Sequence, residues 1–378
     1  MRRFPRAVAG ALAAAALFSA SACGGGDAAD ESSPQASSAD GDLESLVAAA
    51  QEEGALTFYG DANETSLQAW TQGFTEEYGI PVTVLRLPGS QLFQRFAQEQ
   101  SAGQAQADVF SVADFASLTE AVDQQWLAEY TPEDADLLPV EDLGGPGYFY
   151  PVQNSYSQTV TYNASQLSED EIATIREDPI AAAGDPQFRG RIAINIPQSS
   201  QQIAAFYYQL TEGRLADEYG WEALEAIAAN EPDFLSSAEL VNAVVQGEYD
   251  LGVGITDSLA APIALQGAPI EFTYPDTTVG GSFGAGVVAN APNPNAARLF
   301  LEWATTPAAG ELYSSITQTT PLNSEVTDER EITEQEWYQA PDESTTWFDF
   351  VRDEEFLAAV SPEGDFYDRW NQTLGYTG

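Results

Sequence analysis

Hydrophobic positions in this chain follow two rhythms that alternate from about residue 55 onward. "ALTFYG" (55–60) is a short apolar run of strand type. Behind it, "ETSLQAWTQGFTEEYG" carries Leu67, Trp70 and Phe74 at three- and four-residue steps, the spacing of one helix face. "IPVTVLRL" (80–87) and "ADVFSV" (107–112) repeat the strand signal, each followed by an amphipathic segment, "SQLFQRFAQEQ" and "DFASLTEAVDQQW". Strand, helix, strand, helix predicts a parallel sheet flanked by helices, and open sheets of that kind bind ligands at the carboxyl ends of their strands.

A second unit has the same make-up: "GRIAINIP" (190–197), "SSQQIAAFYYQL", "WEALEAIAAN", "SAELVNAVVQG" and the strand "DLGVGIT" (250–256). "IEFTYPD" and "SFGAGVVAN" read as strands returning to the first unit, and "NAARLFLEWATTPAAGELY" as one strong helix. The segment from Glu331 is aromatic but weakly periodic and predicts only packing helices. About 335 residues lie in this patterned part, more than one core usually serves. The expected fold class is therefore α/β with two lobes: 43–155 together with 268–330, and 156–267, with 331–378 packed on them.

The first 42 residues follow neither rhythm. Arg2, Arg3 and Arg6 precede an apolar stretch, Ala7 to Ala22, shorter than the roughly 20 residues of a membrane span and leading into Cys23. That is the pattern of a secretory signal peptide over 1–22. Its end resembles a bacterial lipoprotein box, although Ala20 stands where leucine is commonest. Cys23 is the single cysteine of the chain and cannot form an internal disulfide, so lipidation at the new N-terminus is the expected use. Residues 24–42 are Gly, Ala, Ser, Asp and Glu with one proline and one glutamine. Such a composition makes a flexible tether, with a reach of roughly 25 Å. The expected location is outside the cell or in the periplasm, at the outer face of the cytoplasmic membrane.

Composition then removes several classes of function. The chain has 59 Asp and Glu against 13 basic residues, for a formal charge of −46, and every basic residue is arginine. A nucleic-acid partner needs a basic face and is not expected. With no histidine or lysine, the usual general base, the commonest metal ligand and Schiff-base chemistry are all missing. No calcium-loop spacing occurs among the acids. They spread along the whole chain as a solvated acidic surface, which self-repulsion makes dependent on salt and which suits a salty or alkaline habitat.

The order of "ADVFSVADFASL", "FRGRIAINIPQSS", "LVNAVVQGEYDLGVGI" and "PNPNAARLFLEWATTPAAGELY" resembles bacterial ABC-importer solute-binding proteins, in the group of ferric-iron, phosphonate and polyamine binders. The resemblance covers about Leu56 to Leu322 and implies the type 2 periplasmic-binding-protein fold. In that fold two lobes joined by crossover strands close on a solute that is handed to a permease. It also implies a monomer that is not an enzyme and has no resident cofactor, with ferric ion possible only as cargo.

The resemblance also directs attention to particular residues. Iron binders carry two adjacent tyrosines just after the "GEYDLGVG" strand; here the place reads Ile255, Thr256, Asp257, Ser258. A histidine after the first strand and a glutamate after the third become Asn63 and Ala113. Tyr59, Asp61, Tyr156 and Asp257 remain as oxygen donors, which keeps iron as the alternative cargo. Serine-bearing turns survive at Ser199 and Ser200 and at Ser90 and Gln91, where helix N-termini offer N–H groups to an anion; the plainer alternative is N-capping. Asp114 is either a contact or a cap. Asp257 is expected to pair with a cationic head group, and together with the serine turns this suggests an anionic or zwitterionic solute, phosphonate- or amine-like. Tyr148, Tyr150 and Tyr162 read as core, whereas Tyr156 on the first crossover reads as a cleft residue. A sugar receptor and a carboxylate-based hydrolase are the more remote alternatives.

Overall fold

A computed structural model of the chain describes residues 43–140, 145–275, 280–341, 350 and 353–378, without the side chains of 154–156. The leader, Cys23, the tether and the side chain of Tyr156 therefore lie outside the described residues. Gly41–Gly378 forms one compact unit.

Among the described residues nine strands make the sheet system: β1 Leu56–Gly60, β2 Val82–Arg86, β3 Val109–Val112, β4 Tyr150–Asn163, β5 Ile192–Asn195, β6 Asp233–Leu235, β7 Leu251–Thr256, β8 Ile270–Thr273 and β9 Gly280–Val287. Their order is β2-β1-β3-β9-β4-β7-β5-β6, with β8 paired to β4. The β2-β1-β3 and β6-β5-β7 sets are parallel, as the alternating pattern predicts. The strands that link them run antiparallel to their neighbours.

β4 makes the two lobes one molecule. From Tyr150 to Ser157 it pairs with β9; from Gln158 to Asn163 it pairs with β7 and β8. The chain thus crosses from lobe 1 to lobe 2 between Ser157 and Gln158 and returns between the end of β8 and the start of β9. This is the two-lobed periplasmic-binding-protein architecture.

Helices α1 Leu43–Glu53, α2 Glu64–Tyr78, α3 Gly89–Ser101, α4 Phe115–Asp123, α5 Glu169–Glu177, α6 Pro179–Gly184, α7 Gln201–Thr211, α8 Gly220–Ala229, α9 Ser237–Gln246 and α10 Asp257–Leu265 flank these strands. α11 Pro294–Thr305, α12 Pro307–Thr317, α13 Glu354–Ala359 and α14 Phe366–Leu374 follow. Their ends are written in the sequence. α2 starts at Asn63, whose side chain accepts from Ser66 N, and stops at Gly79 in the left-handed conformation that glycine adopts freely. α9 has a Ser236/Glu239 capping box.

The expected single helix over 295–313 is two helices. Pro307 has no N–H to donate back into α11, and the Thr306 side chain accepts from Ala309 N to start α12.

Trp70 sits at the centre of the lobe 1 core, within 5.5 Å of the rings of Phe300, Trp303 and Tyr313, and its indole N–H donates to Ala309 O. In lobe 2, Tyr162, Phe188, Phe206 and Tyr207 are buried with Phe356, Phe366 and Trp370 from the C-terminal segment. Phe356, Phe366 and Trp370 of that weakly periodic tail are spent on burial.

Candidate functional site

The carboxyl ends of β1, β2 and β3 gather one group of polar residues. Asp61 follows β1 directly, and its Oδ1 accepts from the backbone N–H of Ala113 behind β3 at 3.2 Å. Its Oδ2 faces Gly89, where a Cβ would lie only 2.7 Å away; that close approach explains the glycine. Burial pushes the Asp61 carboxyl up to about 7, and the Ala113 N–H and the Arg86 guanidinium offset only part of this. Asp114, close by, caps α4 by accepting from Ala116 N and from the Ser117 hydroxyl. Asn63 caps α2. Ser90 and Gln91 stand exposed in the first turn of α3, whose N-cap, Pro88, supplies no side-chain acceptor.

Tyr59 is not part of that group. Its ring is 2 % exposed, its hydroxyl donates to Glu99 on α3, and Arg95 stacks over its ring. Burial raises its pKa further from neutrality.

The second group lies at the ends of β5 and β7. The Ser199 hydroxyl donates to Ile196 O and Asn195 Oδ1, and Ser200 Oγ accepts from Ile203 N as the N-cap of α7. Asn195 ties β5 to β7 by donating to Gly254 O. Thr256 closes β7 opposite Gln158 and precedes α10.

Asp257 is where geometry departs most from expectation. It is 0 % exposed: Oδ1 accepts from Ser157 N and Ser258 N, and Oδ2 from the Tyr274 hydroxyl. Burial pushes it up to about 6 against those donors. With both oxygens engaged and no surface open, it does not present a carboxylate to a cationic head group in this conformation. Ser157 is the last β4 residue paired to β9, and Tyr274 follows the last residue of β8, so Asp257 brackets both crossing points. Tyr338 and Arg330 extend the bracket, with Arg330 held by Asp328, Gln318 O and the Tyr338 hydroxyl.

Sequence reasoning passed over two further features. Arg86, the last residue of β2, lays its guanidinium over the same strand ends, donating to Ala62 O and Asp61 O. Gln153, Ser157 and Gln158 on β4 are fully buried, yet neither side-chain amide nor the Ser157 hydroxyl has a partner. The signal available for Arg86 was its place at the ligand end of a strand in an arginine-poor chain. No pattern in the sequence marks the β4 residues.

Among the described residues no cluster of three or more His, Cys, Asp or Glu gathers in a way that suits a metal ion, and no helix is long and apolar enough to cross a membrane.

Comparison with known proteins agrees with this geometry. Residues 60–311 match the family model for bacterial extracellular solute-binding proteins. An Fe(3+)-binding periplasmic protein of Serratia marcescens is 26 % identical over 268 residues, 68 % of this chain and 75 % of the relative. Among solved structures, the substrate-binding protein of an ABC transporter from Agrobacterium tumefaciens superposes with a TM-score of 0.64 at 18 % identity, covering 85 % of this chain and 94 % of that one. The periplasmic binding protein AfuA from Actinobacillus pleuropneumoniae, solved with fructose-6-phosphate bound, gives 0.64 at 20 % identity, covering 86 % and 99 %. Iron-bound HitA from Pseudomonas aeruginosa gives 0.58 at 17 %, covering 85 % and 97 %. The chain belongs to the family of bacterial extracellular solute-binding proteins.

Proposed function

We propose that this chain captures a small anionic or zwitterionic solute, phosphonate- or amine-like, in the cleft between its lobes and delivers it to an ABC permease. In this reading residues 1–22 are removed, lipidated Cys23 holds the protein at the outer face of the cytoplasmic membrane, and 23–42 are the tether. Residues 43–155 with 268–330 form lobe 1 and 156–267 form lobe 2. The protein acts as a monomer without catalysis. Membrane fractionation checks the anchor: Cys23→Ala should move the protein into the soluble fraction, and a variant still bound to membranes would contradict it.

One observation carries the choice of solute. Among the described residues the strand ends offer hydroxyls, the Asp61 carboxyl, an Asp114 spent on capping and the Arg86 guanidinium, without a gathered set of hard anionic ligands. A ferric ion wants several anionic oxygens, whereas an organic zwitterion wants one charge of each sign plus hydrogen bonds. Ferric ion is the second reading, favoured by the description of the Serratia relative.

A thermal-shift panel on the chain from Gly24 onward, in high salt, separates them. Phosphate, aminoethylphosphonate, polyamines, a sugar phosphate, free sugars and ferric citrate form the panel. A ligand at 100 times its Kd stabilises by about 2.7 kcal/mol, worth several degrees in a chain of this size. A shift with phosphonate or amine supports the proposal. A shift with ferric citrate alone, together with visible tyrosinate–iron colour, transfers it to iron.

A further inference from the structure

Most arginines of the described chain are spent on carboxylates. Arg95, Arg176, Arg189, Arg191, Arg330 and Arg369 each form an ion pair. In a chain with 59 acids that outcome needs no explanation. Arg86 departs from it. It is exposed at the carboxyl end of β2, in register with Gly60 at the end of β1, and makes no ion pair among the described residues. Its partners are two backbone carbonyls, Ala62 O at 3.2 Å from Nε and Asp61 O at 3.3 Å from a terminal nitrogen. Those two bonds use one edge of the guanidinium and fix its plane, and among the described residues nothing takes up the remaining N–H donors of its fork. A pre-oriented fork with free donors is the arrangement that grips a phosphoryl or carboxyl group by two parallel bonds.

Asp61 stands beside it yet does not neutralise it. Its carboxylate is turned toward Ala113 N and Gly89, while Arg86 holds the Asp61 backbone carbonyl. A guanidinium and a carboxyl therefore stand side by side at one strand end, each anchored by backbone rather than by the other, and an ammonium beside Asp61 would favour its ionised form. A solute with only an anion would meet Asp61; one with only an amine would meet Arg86. A molecule carrying both charges a few ångströms apart satisfies both.

We propose that Arg86 is the anion-recognising side chain of the cleft and that, with Asp61 taking the ammonium, it selects a zwitterion with an amine and an anionic group on a short linker. The inference rests on the reading of the chain as a zwitterion or anion receptor and assigns the charges of that ligand to residues. An aminoalkylphosphonate and an ω-amino acid share this chemistry.

Calorimetric titration of the mature chain, Arg86→Gln, Arg86→Lys and Asp61→Asn tests it. The probes are 2-aminoethylphosphonate, β-alanine, ethylphosphonate, ethylamine and ferric citrate. The parent should bind one of the two zwitterions at least tenfold more tightly than either single-charge probe, and which one wins identifies the anion. R86Q should weaken the zwitterion and ethylphosphonate at least tenfold while changing ethylamine less than twofold; R86K should recover part of the loss. D61N should weaken the zwitterion and leave ethylphosphonate equal or tighter. Unchanged zwitterion binding in R86Q overturns the assignment while the receptor reading stands. An equal loss on all probes also overturns it, because Arg86 would then act only by holding the 61–62 loop. A parent chain that binds ferric citrate and none of the other four probes overturns the receptor reading itself, and the inference with it.

Discussion

The Asp257 carboxylate accepts a hydrogen bond from the backbone N–H of Ser157, a hundred residues earlier in the chain, at the point where β4 leaves one lobe for the other. The same carboxylate takes the hydroxyl of Tyr274 at the start of the return crossing. One buried side chain thus holds β4 and the end of β8, the places where closure of the proposed lobes would have to hinge. Domain closure in such folds concentrates its backbone change in a few connecting residues, and here those residues share a single acceptor.

Removing that acceptor leaves the buried N–H groups of Ser157 and Ser258 without partners. Asp257→Ala should cost about 2–4 kcal/mol in denaturant unfolding. Asp257→Asn keeps an acceptor without the buried charge, so it should stay close to the parent at about pH 5 and be the more stable of the two above about pH 6, where the parent carboxylate ionises. An alanine variant as stable as the parent would mean that the bracket carries no weight.

Two raised carboxyls set the direction of the pH response. Asp257 at about 6 and Asp61 at about 7 both hold protons more tightly in the folded chain than at their ordinary value of 3.8. The folded state therefore binds more protons across that range, and stability falls as pH rises from about 4 to about 7. The Asp257 contribution is about 3 kcal/mol once pH exceeds 6. Glu171, lowered to about 2 by the Ser168 backbone N–H and by Arg191, works in the opposite sense but below this window. Guanidinium unfolding at pH 5 and pH 7.5 should show the greater stability at pH 5, and D257N should reduce the difference, with Asp61 keeping the remainder. Equal stability of the parent at the two values would contradict the assignment.

Salt should stabilise this chain. A formal charge of −46 with few compensating cations repels itself, and counterions screen that repulsion. The thermal midpoint should rise by several degrees between about 0.05 M and about 2 M sodium chloride. An unchanged midpoint would refute the inferred saline or alkaline setting.

The unpartnered amide of Gln158 lies one residue past the crossing point. A buried polar group without a partner costs about 1–3 kcal/mol, so Gln158→Leu should stabilise the ligand-free chain by about 1 kcal/mol. Destabilisation instead would mean that the amide is satisfied in solution, by water or by a changed lobe angle.

The lobes were legible because each repeats one local grammar. Leu67, Trp70 and Phe74 mark a helix face, "ADVFSV" marks a buried strand, and their alternation dictates parallel pairing. Caps were legible for the same reason: Asp114 and Ser200 do what their positions before helices suggest. What failed was of two kinds, local proline signals overridden by apolar pattern and information held across the chain. The helix expected over 295–313 breaks at Pro307, a local signal outweighed by the apolar periodicity on both sides. α10 was missed because Pro262 interrupts a short, largely apolar segment. Asp257 was placed correctly at a strand end, but nothing near it in sequence says that Ser157 and Tyr274 close over it. Arg86 reads as an ordinary strand terminus until the loop carbonyls it holds are seen.

Small-angle X-ray scattering of the mature chain, with and without the solute that raises its melting temperature, tests the central claim most directly. A solute captured between lobes that hinge at Ser157 and Tyr274 should lower the radius of gyration in proportion to occupancy. Saturable binding with an unchanged radius would put the solute outside the cleft and contradict the account.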